Sequence, residues 1–260
     1  MKMIPLRSPR IVGEMMKSFP ELAVNGEPDD PTVFAAALFK CHMGRVPIND
    51  ECIDPLRIVC THFLRIAPAA IDISAAKGWL KTTVAIIQLM QHVIQGVAFG
   101  YSEILQLPFI TLDAAVKFNE LKVSTIDQLR DFASETENGE EICKQIIAST
   151  NPDKSVDIET KWQQICDSAN RYPSMRFGAT LINQSSIRVT LERDIEEDEE
   201  ISKFVDAPAF LLKKIENWYI LVADERNELV AIQKVSFDRK EEVVIELNPQ
   251  AGMQAHRVYF

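Results

Sequence analysis

The feature that most limits what this chain can fold into is a change of hydrophobic period near Ser174. Before it, apolar residues recur at helical spacing, so that they share one face of a helix. After it they alternate. In SIRVTLER, Ile187, Val189 and Leu191 interleave with Arg188, Thr190 and Glu192. That is the pattern of a strand with one buried face. Helices gathered in one part and strands in the other predict an α+β chain rather than an alternating α/β one.

The helical part divides at its turn residues. Ile11 to Phe19 has a helical apolar pattern and stops at Pro20. NGEPDDP, from Asn25 to Pro31, is dense in turn residues and reads as a loop. Thr32 can cap the next helix, VFAAALFKCHMGR, whose Val33, Ala37, Leu38 and Cys41 share a face before Pro47 closes it. A long helical region follows Asn49, with Pro55 and Pro68 placed to start or bend its segments and Gly78 to break it. TTVAIIQLMQHVIQGVAF forms a further helix with a stripe of Val84, Ile87, Met90 (or Gln91) and Ile94. Leu107-Pro108 opens a new unit. Thr111 and Ser124 are N-cap candidates there, with Asp113 and Asp127 in the first turns. Two short helices around the link NELKV predict a helix-hairpin-helix shape. Residues 134–160 are polar and read as a surface insertion around a short helix from Glu141 to Ala148. A last helix spans about Glu159 to Ala169 and ends before Pro173.

Six strand-like segments then follow: MRFGATL, SIRVTLER, NWYILVAD, ELVAIQKVSF, EEVVIEL and AHRVYF. Turn-like DERN, FDRK and NPQAG separate the later ones. The number and length of these strands suit an immunoglobulin-like or fibronectin-like sandwich. The acidic run DIEEDEE (194–200) reads as a solvated loop.

Charge narrows the function. The net charge is -10, and it is uneven. Residues 1–133 hold 13 basic and 14 acidic side chains, a balance of -1, and residues 134–260 hold 15 against 24, a balance of -9. Phosphate contacts need Lys and Arg, so the acidic half argues against a general nucleic-acid coat and suits a protein-facing surface. The five cysteines, Cys41, Cys52, Cys60, Cys143 and Cys166, form no CxxC pair. They read as buried reduced thiols rather than a zinc site or disulfide framework. The start, MKMIPLRSPR, has no apolar core of a signal peptide. Thr82 to Gly100 is a poor membrane span because it carries Gln88, Gln91, His92 and Gln95. No phosphate loop, DExH box, GxSxG or HExxH occurs. The expectation is a chain with no catalytic residues, no metal and no cofactor. Trp79 reads as a core aromatic, and His42 and His92 as packed or surface histidines. Trp218 and Tyr219 fit core and surface positions of the strand region.

Specific segments resemble a known family. DISAAKGWLKTTVAIIQLMQHVIQG (72–96), with GWL at 78–80 and Q-x-x-x-QG at 91–96, is similar to the signature helix of the Sec-sixty-three domain. ILQLPFI (104–110), NRYP (170–173) and NWYILVADERNELVAIQKV resemble further family segments in the same order. The likeness is strongest to the domain copies in Ski-two-like RNA helicases, such as the activating-signal-cointegrator and spliceosomal enzymes. It implies a helical bundle over 1–104, a helix-hairpin-helix with a polar insertion over 105–172, and an immunoglobulin-like sandwich over 173–260 that lacks its last strand. It also implies a non-catalytic accessory module that guides single-stranded RNA weakly and docks protein partners through the acidic sandwich. The helicase cassette would lie in the same or a neighbouring chain, in the nucleus or cytoplasm, with no membrane insertion by this chain. VFAAALFKCHMGR is similar to the neighbourhood of the family's ratchet helix, which would put Lys40, His42 and Arg45 on the RNA-facing side. IPLRSPR would add Arg7, with Arg10 standing where the family has Glu. In the hairpin, Lys122 stands where glycine is usual, which argues against phosphate binding by its backbone. The alternative parent is the translocation subunit of the endoplasmic-reticulum membrane that gives the domain its name. There the sandwich would bind the channel on the cytosolic side.

Overall fold

In a computed structural model of the chain, the described residues are 25–27, 30–46, 48–183, 185–195, 201–247 and, for their backbone, 257–259. Arg7, the Ile11–Phe19 helix and most of the acidic run (196–200) lie outside them. The described residues form an α+β arrangement of seven α-helices, one short 3-10 helix and two small antiparallel sheets.

Helix α1 (Pro31–Met43) is capped by Asp30, whose carboxylate accepts from the Thr32 N–H at 2.7 Å. Asp30, not Thr32, is therefore the cap. Pro31 fits the first helical position because its missing N–H would have had no partner there. Helix α2 (Asp50–Ala76) runs unbroken through Pro55 and Pro68. It has the length and apolarity of a membrane span, yet Cys52, Leu56 and Cys60 pack against Phe34, Ala37 and Leu38 in a protein core. Gly78 (φ 72°) ends that segment, and α3 (Leu80–Gln95) follows. A 3-10 turn (Glu103–Gln106) leads to α4 (Leu112–Glu120) and α5 (Ile126–Glu135). Thr111 caps α4, as expected, but α5 is capped by Thr125 rather than Ser124. Gln128 completes a capping box there, which needs a Thr three residues before it.

Helices α6 (Gly139–Thr150) and α7 (Ile158–Asn170) complete this part. The reading of 134–160 as a surface insertion is corrected here. Cys143 and Ile147 are wholly buried in one cluster with Phe118, Ile126, Leu129 and Ile165. Cys143 and Ile147, one turn apart, anchor α6, and Ile146 packs against the same cluster, although polar segments flank the helix.

Strands β1 (Met175–Asn183), β2 (Ser186–Arg193) and β5 (Lys240–Glu246) form one sheet in the order β1-β2-β5. Strands β3 (Trp218–Ala223), β4 (Leu229–Val235) and β6 (Arg257–Tyr259) form the other, in the order β4-β3-β6. The alternation seen in the sequence sets the register. Ile187, Val189, Leu191 and Ile245 from the first sheet share one core with Ile220 and Val222 from the second. Arg193, buried at the end of β2, pairs with Glu216, which also accepts from Trp218 Nε1 at 2.6 Å.

The chain divides into two compact units. One holds 1–65, 90–170 and 206–212; the other holds 66–89, 171–205 and 213–260. The first holds the α1–α2 core and the larger α4–α7 core. In the second, Leu80 packs with Leu221, Ala223 and Leu229, and the Leu229 N–H donates to Gly78 O at 2.8 Å.

Candidate functional site

The expected RNA-facing residues fall at the end of α1. Gly44 caps the helix, and Arg45 then adopts a left-handed backbone (φ 55°). That turn sends its guanidinium toward the end of α3. Arg45 Nε donates to Gly96 O at 2.8 Å, and Nη2 donates to Gln95 O at 2.9 Å and to Leu105 O. A helix C-terminus leaves carbonyls without intrahelical partners and carries partial negative charge, so a guanidinium satisfies both. Burial lowers the Arg45 pKa to about 10, which leaves it charged near neutral pH.

His42 is buried, and its Nε2 donates to Val93 O at 2.7 Å. Desolvation is the largest influence on its ring and lowers the pKa, with the nearby Arg45 charge adding to the effect. The ring is thus held neutral with its proton on Nε2. Gly96 (φ 60°) gives this packing its room, since a Cβ there would meet His42 Cε1 at 3.1 Å and Ala209 Cβ at 3.2 Å. Gln95 Nε2 donates to Asp206 O at 3.2 Å and pins the 206–212 segment to the same corner. Lys40 is half-buried in the last turn of α1. The structure therefore brings His42 and Arg45 together as a clamp on the end of α3. Their polar atoms face backbone carbonyls rather than solvent.

Exposed cations also lie on α2, which sequence reasoning missed. Arg57, Thr61, His62 and Arg65 are all exposed. Arg57, Thr61 and Arg65 recur every four residues and so share one stripe, about 12 Å long. Arg57 is paired with Asp54 at 2.7 Å, and Thr61 Oγ1 donates to Arg57 O. The edge-on contact of Phe39 with Phe63, at 5.2 Å between ring centres, fixes this part of α2 against α1. The spacing was legible in the sequence, but it lay in a segment read only for its length, its prolines and its closing glycine.

Trp79 is corrected as well. It is 55% exposed rather than a core aromatic. Its backbone is nevertheless fixed: the N–H donates to Ser74 O at 2.9 Å, and its carbonyl accepts from the Thr83 N–H and hydroxyl. Trp218 and Tyr219 are both half-buried. Four cysteines are buried and Cys166 is half-buried, all with free thiols. Burial pushes Cys60 up to about 11 and Cys143 up to about 12, so neither is a nucleophile near neutral pH. Among the described residues no cluster of His, Cys, Asp or Glu could hold a metal ion.

The Sec63 Brl domain family matches residues 7–260. The chain belongs to that family. In this Sec63 Brl domain, the QG of 95–96 ends α3 and seats His42, and the GWL of 78–80 makes the left-handed break before α3. Relatives include the human U5 small nuclear ribonucleoprotein 200 kDa helicase, 24% identical over 99% of this chain and 12% of its own length. The DExH-box ATP-dependent RNA helicase DExH12 of Arabidopsis thaliana is 29% identical over 89% of this chain and 11% of its length. The activating signal cointegrator 1 complex subunit 3-like protein of Dictyostelium discoideum is 22% identical over 85% and 10%. The domain thus spans about a tenth of the length of these relatives.

Proposed function

We propose that this chain is a non-catalytic accessory module of an ATP-dependent RNA helicase, guiding single-stranded RNA and docking protein partners. One observation carries the reading. Nearly the whole chain aligns with RNA helicases over a small fraction of their length, while it carries no nucleotide-binding motif itself. The endoplasmic-reticulum alternative draws no support from these relatives. On the present reading the α4–α5 pair is a helix-hairpin-helix, and the two sheets are an immunoglobulin-like sandwich. The core shared by the sheets supports the latter. The acidic half of the chain is the protein-facing part.

Within the bundle, we place an RNA contact on the exposed α2 stripe of Arg57, Thr61 and Arg65, and, as the resemblance suggests, on Lys40. His42 and Arg45 act through geometry by holding the end of α3. Arg7 joins the contact only by resemblance.

Anisotropy of a labelled single-stranded RNA tests this. The wild-type chain is expected to bind weakly at about 20 mM salt and to lose affinity steeply as salt rises. The double variant Arg57→Ala/Arg65→Ala should bind less and show a salt slope smaller by about 1–2. Unchanged affinity in that variant would remove the stripe. Absence of binding by the wild type at low salt would remove the RNA role.

A further inference from the structure

In the strand-rich half, cations are matched to carboxylates: Arg176 with Asp194, Arg188 with Glu242, Arg193 with Glu216 and Lys240 with Glu192. Lys203, Lys214 and Lys234 break that pattern. Among the described residues none of the three is in an ion pair, although residues 134–260 hold 24 acidic side chains against 15 basic ones.

The backbone gathers these lysines. Phe204 bridges Ile215 in antiparallel sense, the Val205 N–H donates to Lys214 O at 2.8 Å, and the Glu216 N–H donates to Lys203 O at 3.0 Å. Lys203 and Lys214 each stand one residue from the bridged pair, so they share the side away from Phe204 and Ile215. Lys234 stands opposite Tyr219 in the β3–β4 register, with its ammonium 5.8 Å from the centre of the Tyr219 ring. The Lys234 charge is felt at Lys214, whose pKa is lowered first by burial and then by that charge. Two carboxylates nearby leave the group uncompensated. Glu216 shares the side of Lys203 and Lys214, but it is taken up by Arg193 and by Trp218 Nε1. Asp72 adds to burial in raising the Tyr219 pKa, yet among the described residues it forms no ion pair with any of the three lysines. Like charges held together without a counter-charge cost stability, and an anion from outside relieves that cost.

We propose that Lys203, Lys214 and Lys234 form a docking face for an acidic peptide segment of a partner protein. This deepens, and rests on, the reading that the strand-rich half faces protein. It makes the partner negative at this face, although the half as a whole is negative too. Two observations favour peptide carboxylates over a nucleic acid. Bases stack on bare aromatic rings, whereas the Tyr219 ring packs against the Leu80, Leu221 and Leu229 cluster and lies under Lys234. An RNA strand would also run beyond three lysines onto a half with a balance of -9, whereas a short acidic segment ends within the patch. Exposed charges steer and select a partner more than they hold it, so the isolated contact is weak and sensitive to salt.

Anisotropy of fluorescein-labelled octaglutamate, octalysine and octauridylate, each added to the full chain, tests the proposal. Octaglutamate is expected to bind with a Kd of roughly 0.1–1 mM at about 20 mM salt and to be released by about 200 mM. The variant Lys203→Gln/Lys214→Gln/Lys234→Gln should bind it about tenfold more weakly. Lys203→Gln/Lys234→Gln, at two exposed positions, should lose part of the affinity and guards against misfolding at half-buried Lys214. The control Lys77→Gln/Lys81→Gln/Lys122→Gln changes the net charge equally at exposed positions elsewhere and should bind as the wild type does. Equal weakening in the control overturns the proposal, because net charge alone would then explain binding. So does octauridylate whose binding is lost in the triple variant while octaglutamate is not bound. Octalysine bound in place of octaglutamate overturns the basic docking face but keeps a protein-facing acidic half. Binding of neither peptide overturns both.

Discussion

Arg45 and His42 both stabilise the end of α3, but by opposite electrostatics. Arg45 brings a charge to carbonyls that need donors; its removal leaves those of Gln95, Gly96 and Leu105 short of partners. Arg45→Ala should therefore lower the unfolding free energy by about 1.5–3 kcal/mol, the cost of losing charge-assisted hydrogen bonds at a half-buried site. Arg45→Lys should recover only part of it, because one ammonium cannot reproduce the planar fork. Urea unfolding checks both. A loss below about 0.5 kcal/mol would mean that water replaces the clamp. His42 must stay neutral where it sits. Its folded pKa lies below the ordinary value of 6.5, so below that pH the unfolded chain takes up a proton that the folded chain refuses. Its contribution is complete above about pH 6.5 and declines as pH falls toward the folded pKa, by at most about 1.4 kcal/mol per pH unit. The decline between about pH 6.5 and 5 should be shallower in His42→Gln, whose amide can still donate to Val93 O. An identical slope in the two proteins would show that other groups control it.

At the scale of elements, the α4–α5 link is closed on itself. The N–H groups of Leu121 and Val123 donate to Phe118 O, and that of Lys122 donates to Asn119 O. Those of Ser124 and Thr125 point to Gln128 Oε1. No backbone donor from 121 to 125 is left for a phosphate, whatever residue stands at 122. Lys122 itself has a left-handed backbone (φ 63°), a conformation that costs an L-residue about 1–2 kcal/mol. Lys122→Gly should therefore stabilise the protein by about 0.5–1 kcal/mol, after allowing for the greater freedom of glycine in the unfolded chain. Thermal unfolding would show it, and a lower midpoint would mean that the Lys122 side chain has a role of its own. All six strands were legible in the sequence because they follow from local chemistry, whereas the glycine expected at 122 came from the family resemblance. The period of two, broken by DERN and FDRK, sets each strand and its buried face. Trp79 and the clamp were not legible. An apolar context implies burial only if a partner element covers it, and the sequence does not tell which flank of a helix stays bare. Arg45 meets Gly96 across 51 positions, a pairing that no local pattern encodes. Helix α6 was legible as a short helix, but its burial was not, because the polar residues on either side of it mark the segment as surface.

For the molecule as a whole, charge is the property that sequence and structure describe alike. The excess of acidic over basic residues is concentrated after residue 133, and its effect on stability depends on what the basic residues do. Several are in local pairs, such as Lys144 with Glu140 and Glu159, Arg188 with Glu242, and Lys240 with Glu192. Each of these pairs has at least one well-exposed partner, and pairs of that kind contribute little to stability. The net excess of ten negative charges acts over longer distances and opposes compaction. Salt weakens both effects, but with a screening length near 10 Å at about 0.1 M it removes the long-range repulsion first. Raising salt from about 20 to 200 mM should therefore raise the thermal midpoint by a few degrees, equivalent to about 1 kcal/mol for a chain of this size. A midpoint that falls with salt would mean that the local pairs outweigh the net repulsion, and that the acidic half is held together by its ion pairs rather than strained by its charge.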